Sequence, residues 1–468
     1  MRYSIKNTLV LLFILLQFSQ VVWAQKIRVI HTTDIGMDSQ DDQNTMVRML
    51  LFSNNQNIIG LTPSGGPWQK EYLNKEYERI LAKIDLYAEV YDNLKLHDPD
   101  FPTPNYLRSI TVRGNIIYDD YSKDTDGSLL IANALLDESD DSPIWVTCWG
   151  GPVTLTAALR YINDNYPEKK AYVANKLRVY FIAAKYQDRE SDRINLTYIK
   201  EHYDPAPMML DAENYEYTNG WGEVKYWCDH VTYSTEEWTN TNLIRNHGPL
   251  AGSLYWRHSW NDDVDGDAPS LLHLLGSAAG LRSTENPTYG GWGSRFNVDV
   301  NDYNCHLNNV IDEWDGPNKL PVNDPNAEKQ AYCYSGARWA NDFQNEYAVR
   351  ADWCVKSYDE ANHPPVVNLT VKQDLIAAPG ETVKLACNPT DPDGDKLSYR
   401  WWQYKEAGTC SSTVLIKNSD MNGASFICPD EPGKTVHIIL EVQDNGKGHP
   451  LTRYARIIVK IAKLIKKN

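Results

Sequence analysis

The sequence predicts an α/β fold, a mostly parallel sheet flanked by helices, followed by a small all-β sandwich. Three observations carry this reading. From Ile27 to about Ile182, short apolar runs alternate with segments of helical period, the pattern of parallel strands joined by crossover helices. Turns rich in Asp, Gly and Pro punctuate the alternation. Beyond "NHPPVV", residues 362–367, the helical period disappears and only short alternating runs remain.

The elements follow in order. Ile27–His31 reads as the first strand, and Gln43–Ser53 as a helix with Met46, Val47, Leu50 and Leu51 on one face. Ile58–Leu61 is a second strand. Tyr72–Tyr91 is a helix, with Ile80, Ile84, Tyr87 and Val90 at helical spacing. Ile144–Thr147 reads as a buried strand, followed by a Gly-Gly-Pro turn and the helix Thr154–Asn163; Val179–Ala183 is a further strand. Residues 184–360 are less regular, with Ser270–Ala279 the clearest helix, and long irregular segments in compact proteins usually carry function. Val366–Val371, Thr382–Ala386, Leu397–Trp402, Val436–Val442 and Tyr454–Ile461 read as strands of an immunoglobulin-like sandwich. The expected organisation is a leader over 1–24, a main domain over 25–361 and the sandwich over 362–468.

The leader is read from Arg2 and Lys6, the apolar run Leu9–Leu16 and the small residue Ala24, a secretory signal peptide cleaved near Ala24. Its apolar run is shorter than the roughly 20 residues that span a bilayer, and no later stretch is apolar enough to be transmembrane. A secreted or periplasmic protein is the expectation. The formal charge of −16 makes nucleic acid and anionic membrane surfaces poor partners. Export permits disulfides among the eight cysteines; no Cys-x-x-Cys spacing suggests zinc, and Cys410–Cys428 is the best-placed pair.

The chemistry concentrates in "TTDIGMDSQDDQ", residues 32–43, where Asp34, Asp38, Asp41 and Asp42 fall within nine positions. One aspartate there would cap the following helix. Four exceed what capping requires, and their mutual repulsion calls for a cation. Oxygen-only donors suit a hard cation, Ca²⁺ before Mg²⁺. The loop also leaves the first strand at its carboxyl end, where open α/β sheets bind ligands.

These residues carry a resemblance. "TTDIGMDSQDDQNTMVRMLLFSNN", "WVTCWGGPVTLTAAL" (145–159), "DGDAPSLLHLL" (265–275), "YGGWGSRF" (289–296) and "DPDGDKLSYRWWQYKEAGT" (391–409) resemble, in this order, the nucleoside hydrolase-like superfamily. The similarity is greater to its secreted, cellulose-binding-protein-like branch, which pairs that domain with an immunoglobulin-like C-terminal one. The resemblance implies Ca²⁺ held by Asp34, Asp42, Asp267 and a carbonyl near Trp149. It also implies Asp34 as the base that takes a proton from attacking water, and Asp41 as a contact to a sugar hydroxyl. Two departures stand out: Met37–Gln40 lengthens the gap before the Asp-Asp pair, and Gly266 replaces the His often found before the late aspartate of nucleoside-cleaving members.

Further candidates for substrate contact are Asp38, Asp188, Asn214 with its neighbour Glu213, His258 and Trp292. Asp188 lies in a charged run that as a class is mostly solvated. His258 could replace the missing acid, although a lone His is more often structural. Trp221 and Trp292 could stack on sugar faces, and Trp401 and Trp402 are core or platform. "DPDGD", residues 391–395, reads as a tight turn rather than a calcium loop. The leading expectation is an exported, Ca²⁺-dependent glycoside hydrolase with carbohydrate as its partner. The alternatives are a non-catalytic binder of cellulose-like glycan and, more weakly, a periplasmic nucleosidase.

Overall fold

The computed structural model describes residues 26–36, 41–66, 75–182, 190–212, 218, 235–254, 265–297, 305–308, 310–313 and 319–463. Strands β1 (Ile27–Thr33), β2 (Gln56–Pro63), β3 (Ile144–Trp149), β4 (Leu177–Ile182), β5 (Met208–Ala212) and β6 (Cys305–Leu307) form one sheet in the order β2-β1-β3-β4-β5-β6. Every pairing is parallel. Helices cover both faces, so the strands are buried runs rather than alternating ones. Val29 joins the core that contains Met46, Leu50 and Ile84, while Ile30 joins the opposite core with Val146, Leu155 and Leu159.

The chain steps from β1 outward to β2, then returns past β1 to β3, and continues away from it. The direction of winding therefore reverses between β1 and β3, which opens a crevice at their carboxyl ends. Register makes those ends coincide: Thr33 lies beside Pro63 on one side and Trp149 on the other. Helix α1 (Asp41–Leu51) starts immediately beyond β1, α2 (Glu76–His97) follows β2, and a helix over Val153–Asn165 follows β3.

The elements read from sequence keep their types, with most ends shifted by a few residues; β5, β6 and the helix Asp126–Leu136 were not read. The region read as irregular also holds the helices Glu190–His202, Ala327–Ala337 and Ala340–Asp352, besides Ala268–Gly276. Glu190–His202 buries Leu196 and Ile199 beside Leu155 and Leu159, whereas Ala340–Asp352 meets both parts of the protein, α1 through Arg350 and the C-terminal part through Glu346 and Arg453. In the C-terminal part β7 (Asp374–Ala377), β12 (Thr452–Ile461), β11 (Thr435–Gln443) and β9 (Ser398–Gln403) form one sheet, and β10 (Gly423–Ile427) pairs with β8 (Thr382–Ala386). The expected strand Val366–Val371 is reduced to single bridges, Val366 to Thr390 and Leu369 to Cys387.

Cys410 and Cys428 are not bonded to each other, which corrects the expected Cys410–Cys428 bridge. Cys410 Sγ instead donates to Glu431 at 3.3 Å, and Cys428 Sγ to the Ala377 carbonyl at 3.8 Å.

Aromatic and charged side chains join the two parts. Trp292 is 1% exposed, its indole N–H donates to Tyr454, and its ring meets Phe343 and Tyr454. Trp402 packs on Trp339 at 5.7 Å, and Trp401 is buried, donating to the Met421 carbonyl. Arg456, fully buried, donates to the carbonyls of Leu281, Tyr289 and Gly290. Arg453 meets Glu346 with two hydrogen bonds. Gly280, at φ +109°, permits this approach: a Cβ there would lie 2.0 Å from the Tyr454 carbonyl oxygen.

Candidate functional site

The crevice between β1 and β3 gathers the acidic residues. Carboxylate oxygens of Asp41, Asp42 and Asp267 lie within 4.8 Å of one another, with Asp42 and Asp267 buried and Asp41 half-buried. Asp41 and Asp42 occupy the first turn of α1, whose positive end favours them modestly. Asp267 sits at the N-cap of Ala268–Gly276 but makes no side-chain cap bond. Three carboxylates so close repel strongly unless a cation or protons offset them. All three offer hard oxygen donors, which fits Ca²⁺.

Asp34 stands beside this group rather than within it. Its amide donates to the Trp149 carbonyl at 3.0 Å, continuing the β1–β3 ladder one residue past the strand. Its carboxylate lies between two glycines from neighbouring strand ends. A Cβ at Gly66 would fall 2.0 Å from its Oδ2, and one at Gly150, at φ +103°, 2.2 Å from its Cγ. Only glycine leaves that room. The preceding residue turns to the other side: Thr33 Oγ1 donates to Asp42 Oδ1 and accepts from the Ile35 amide at 3.1 Å. β1 thus orients Asp34 and Asp42 through consecutive residues.

A second set of contacts brings Asp267 across the sequence. Asp265 is buried and accepts from Thr45 Oγ1 and Arg48 Nε, both on α1. The Arg48 guanidinium lies 3.9 Å from the Tyr347 ring centroid and bonds Gln344 at 3.0 Å. The Trp149 indole N–H donates to Ser270 Oγ at 2.8 Å, and that hydroxyl donates to the Asp267 carbonyl at 3.1 Å. From α2, Arg79 donates to the Ile35 carbonyl at 3.0 Å. Thr33, Arg48, Asp265, Ser270, Gly66 and Gly150 are therefore the supporting residues that the aspartate motif did not name. The buried pair of Arg48 with Asp265 had no local signal, because its members are 217 positions apart.

Nearby histidines are structural. His31 is fully buried, with its ring nitrogens against Thr147 Oγ1 at 2.7 Å and Gln56 Oε1 at 3.1 Å. Burial pushes its pKa down to about 3, with the Gln56 bond opposing. His273 lies among Trp145, Tyr180 and Phe296, and burial lowers it also to about 3.

Of the residues read from sequence, Asp34, Asp41, Asp42, Asp267 and Trp149 assemble at this one edge. Trp292 lies in the core between the two parts of the chain, so neither of its faces is open as a sugar platform. Asp38, Asp188, Glu213, Asn214, Trp221 and His258 fall outside the described residues.

Two family models match this chain. "Cellulose-binding Sde182, nucleoside hydrolase-like domain" spans residues 28–296, and "Cellulose-binding protein Sde0182, C-terminal domain" spans residues 382–461. Among solved structures, a nucleoside hydrolase-related hypothetical protein from Saccharophagus degradans, associated with carbohydrate metabolism, is 29% identical. It covers 93% of this chain and 100% of its own, with a TM-score of 0.74. An endo-β-1,4-mannanase from Thermotoga petrophila, 12% identical over 94% of this chain and 98% of its own, superposes with a TM-score of only 0.17. No curated protein matches.

Proposed function

Because the chain belongs to the cellulose-binding Sde182 family with a nucleoside hydrolase-like domain, we propose that it is an exported, Ca²⁺-dependent hydrolase of glycosidic bonds in polysaccharide or oligosaccharide fragments. The observation that supports this best is the convergence of Asp41, Asp42 and Asp267 where the sheet reverses its winding. Export agrees with the leader-like first 24 residues and with a glycan substrate too large for the cell interior. Among the described residues, no helix is long and apolar enough to cross a membrane.

In this reading Asp41, Asp42 and Asp267 hold the ion, with Asp34 and the Trp149 carbonyl alongside. Ca²⁺, when bound, supplies a Lewis acid that acidifies water and a point of attachment for neighbouring sugar hydroxyls. Asp34, confined between Gly66 and Gly150, accepts the proton of the water that attacks the anomeric carbon. Asp41, the most accessible of the three, takes a hydrogen bond from a sugar hydroxyl. The negative charge of the group favours an oxocarbenium-like transition state. The Arg48 pair with Asp265 and the Ser270 bridge hold Asp267 in place while this occurs.

The lack of a proton donor for the leaving group favours the non-catalytic reading, a binder of cellulose-like glycan. Gly266 offers no proton to a leaving group, Asp265 is engaged by Arg48, and His273 is sealed in the core. The discriminating experiment is Ca²⁺ calorimetry on wild type and Asp42→Ala, with reducing-sugar release from a polysaccharide panel with and without chelator. Binding lost in Asp42→Ala, together with chelator-sensitive sugar release, supports the hydrolase. Glycan binding without release favours the binder, and unchanged Ca²⁺ binding in Asp42→Ala removes the metal cradle.

A further inference from the structure

Helix α2, the linker and the C-terminal part meet at one buried joint, and two histidines form its centre. His97 lies in the last turn of α2, and His363 stands in the linker that leads to the C-terminal part. They are 7% and 3% exposed. Their rings meet nitrogen to nitrogen: His97 Nδ1 lies 3.0 Å from His363 Nε2, with the ring planes 27° apart. At the far side of His97, Nε2 lies 2.9 Å from the Lys356 carbonyl oxygen. At the far side of His363, Nδ1 lies 2.9 Å from Oδ1 of Asp393, in the turn "DPDGD". Asp393 Oδ2 accepts from the His363 amide at 2.7 Å. Trp353 stacks on His97 at 5.0 Å and Tyr358 on His363 at 3.8 Å, which holds the two rings in line.

A count of hydrogens sets the charge of this row. A carbonyl oxygen and a carboxylate only accept, so each outer bond needs an N–H from the ring that faces it. The central bond needs one more. Three bonds require three N–H groups, and two neutral imidazoles supply two. The row therefore holds one proton beyond neutrality, balanced by Asp393. Burial lowers the pKa of His97 to about 4; its bond to the Lys356 carbonyl opposes this, and the charges of His363 and Arg350 lower it further. The extra proton thus sits on His363, against the carboxylate, and His97 stays neutral with its hydrogen on Nε2.

The other charged groups around the row divide by sign. Asp391 and Asp395 each bring an oxygen within 4.8 Å of one on Asp393, and Asp444 accepts from Asn362 Nδ2 at 3.1 Å; these favour the proton. Asp98, beside His97, is turned to Asn54 at 2.6 Å. Three cations oppose the proton, each engaged elsewhere. Lys356 pairs with Asp352 at 2.8 Å, Arg350 with Glu346 at 2.9 Å, and Lys447 donates to the Asp359 carbonyl at 3.2 Å. The Tyr358 phenol, pushed up by burial and then by Asp393, stays neutral.

We infer that His97, His363 and Asp393 form a proton-operated latch that fastens the C-terminal part to the main domain, closed while the row carries its third N–H and released when that proton leaves. Loss of the proton leaves two acceptors facing each other at one of the three bonds, where burial makes an unmade bond costly. The sign follows from linkage. The closed row keeps a proton that an exposed imidazole gives up near its ordinary value of about 6.5. The latch is therefore at full strength below that value, and is lost as pH rises past the point where the closed row releases its proton. Asp393→Asn separates the proton from the contact. Asparagine can keep its oxygen on the His363 amide and turn its Nδ2 to His363 Nδ1, donating where the carboxylate accepts. Two neutral imidazoles then complete the row, and no extra proton is needed.

The test uses the full chain. Protease cleavage of the linker, residues 361–367, is timed at pH 7 and pH 9 and normalised to cleavage of a peptide of the same sequence. In the parent, relative cleavage should rise about tenfold between the two, within the limit of about tenfold per pH unit for one linked proton. In Asp393→Asn it should be low at both, and in Asp393→Ala high at both. Nitrogen NMR of the ¹⁵N-histidine-labelled parent at pH 7 should show both His363 nitrogens protonated and His97 protonated at Nε2 alone. A flat parent profile, an Asp393→Asn profile as steep as the parent's, or a single proton on His363 at pH 7 would each overturn the latch. The NMR measurement requires no change at Asp393, so it decides the matter where Asp393→Asn fails to fold.

Discussion

Asp265→Asn tests the means by which Asp267 is placed. The pair it breaks is buried at both ends, with side-chain exposures of 4% for Arg48 and 4% for Asp265. Removing one charge of a buried ion pair leaves the other uncompensated, a cost of about 3–5 kcal/mol. Asparagine keeps the shape and can still accept from Thr45, so the loss isolates the charge. For a chain of this size the melting point should fall by about 5–10 °C. Arg48→Met retains the stem against Tyr347 and should cost a similar amount. The double variant should be less damaged than the sum of the two, with a coupling of about 2–3 kcal/mol in guanidinium titrations followed by tryptophan fluorescence. Because Asp267 lies two residues beyond the anchor, Ca²⁺ affinity at the metal cradle should drop by about tenfold in Asp265→Asn. Additive single losses, or an unchanged Ca²⁺ affinity, would refute the view that this pair positions Asp267.

Gly150→Ala places a methyl group against Asp34 at a positive φ, and should lower stability by about 1–3 kcal/mol by overpacking; an unshifted melting curve contradicts the close approach. Trp292→Ala should cost about 3–5 kcal/mol while leaving glycan affinity unchanged, since the ring is sealed between the two parts; affinity gels with cellulose fragments read the second half. Stability should fall steeply on acidification from pH 6.5 to 4.5. Burial lowers His31, His273 and His437 to about 3 and His97 to about 4, so below 6.5 the unfolded chain binds protons the folded one refuses. Glu441, raised by burial to about 7, and Asp342, also raised by burial, work in the opposite direction over this window, while His306 and His449, lowered by burial, add to the four histidines. Thermal melts at half-unit pH steps check the sign, and a flat or rising profile toward acid refutes it.

Strands β1 to β4 were legible because each is an apolar run, whereas β5, "MMLDA", and β6, "CHL", are short and carry a polar residue, so no pattern of their own marked them. The late helices Ala327–Ala337 and Ala340–Asp352 were not legible either, since their faces are divided between two packing partners. Strand β10, "GASFI", begins at a glycine and places the apolar Ile427 on its exposed face, so its sequence lacks the apolar–polar alternation that would mark it and its pairing with β8 depends on the neighbour.

The sequence by itself determined the kind of chemistry: hard oxygen donors concentrated at Asp34, Asp41 and Asp42, at the end of a strand and the start of a helix. Residue type and local spacing suffice for that. Tertiary structure decided which carboxylates meet. It gathered Asp41, Asp42 and Asp267, set Asp34 beside them between Gly66 and Gly150, and withdrew Trp292 into the core. The reason is the same in each case. Long-range neighbours are set by strand order and by which loops the packed core forces together, and no local pattern records them.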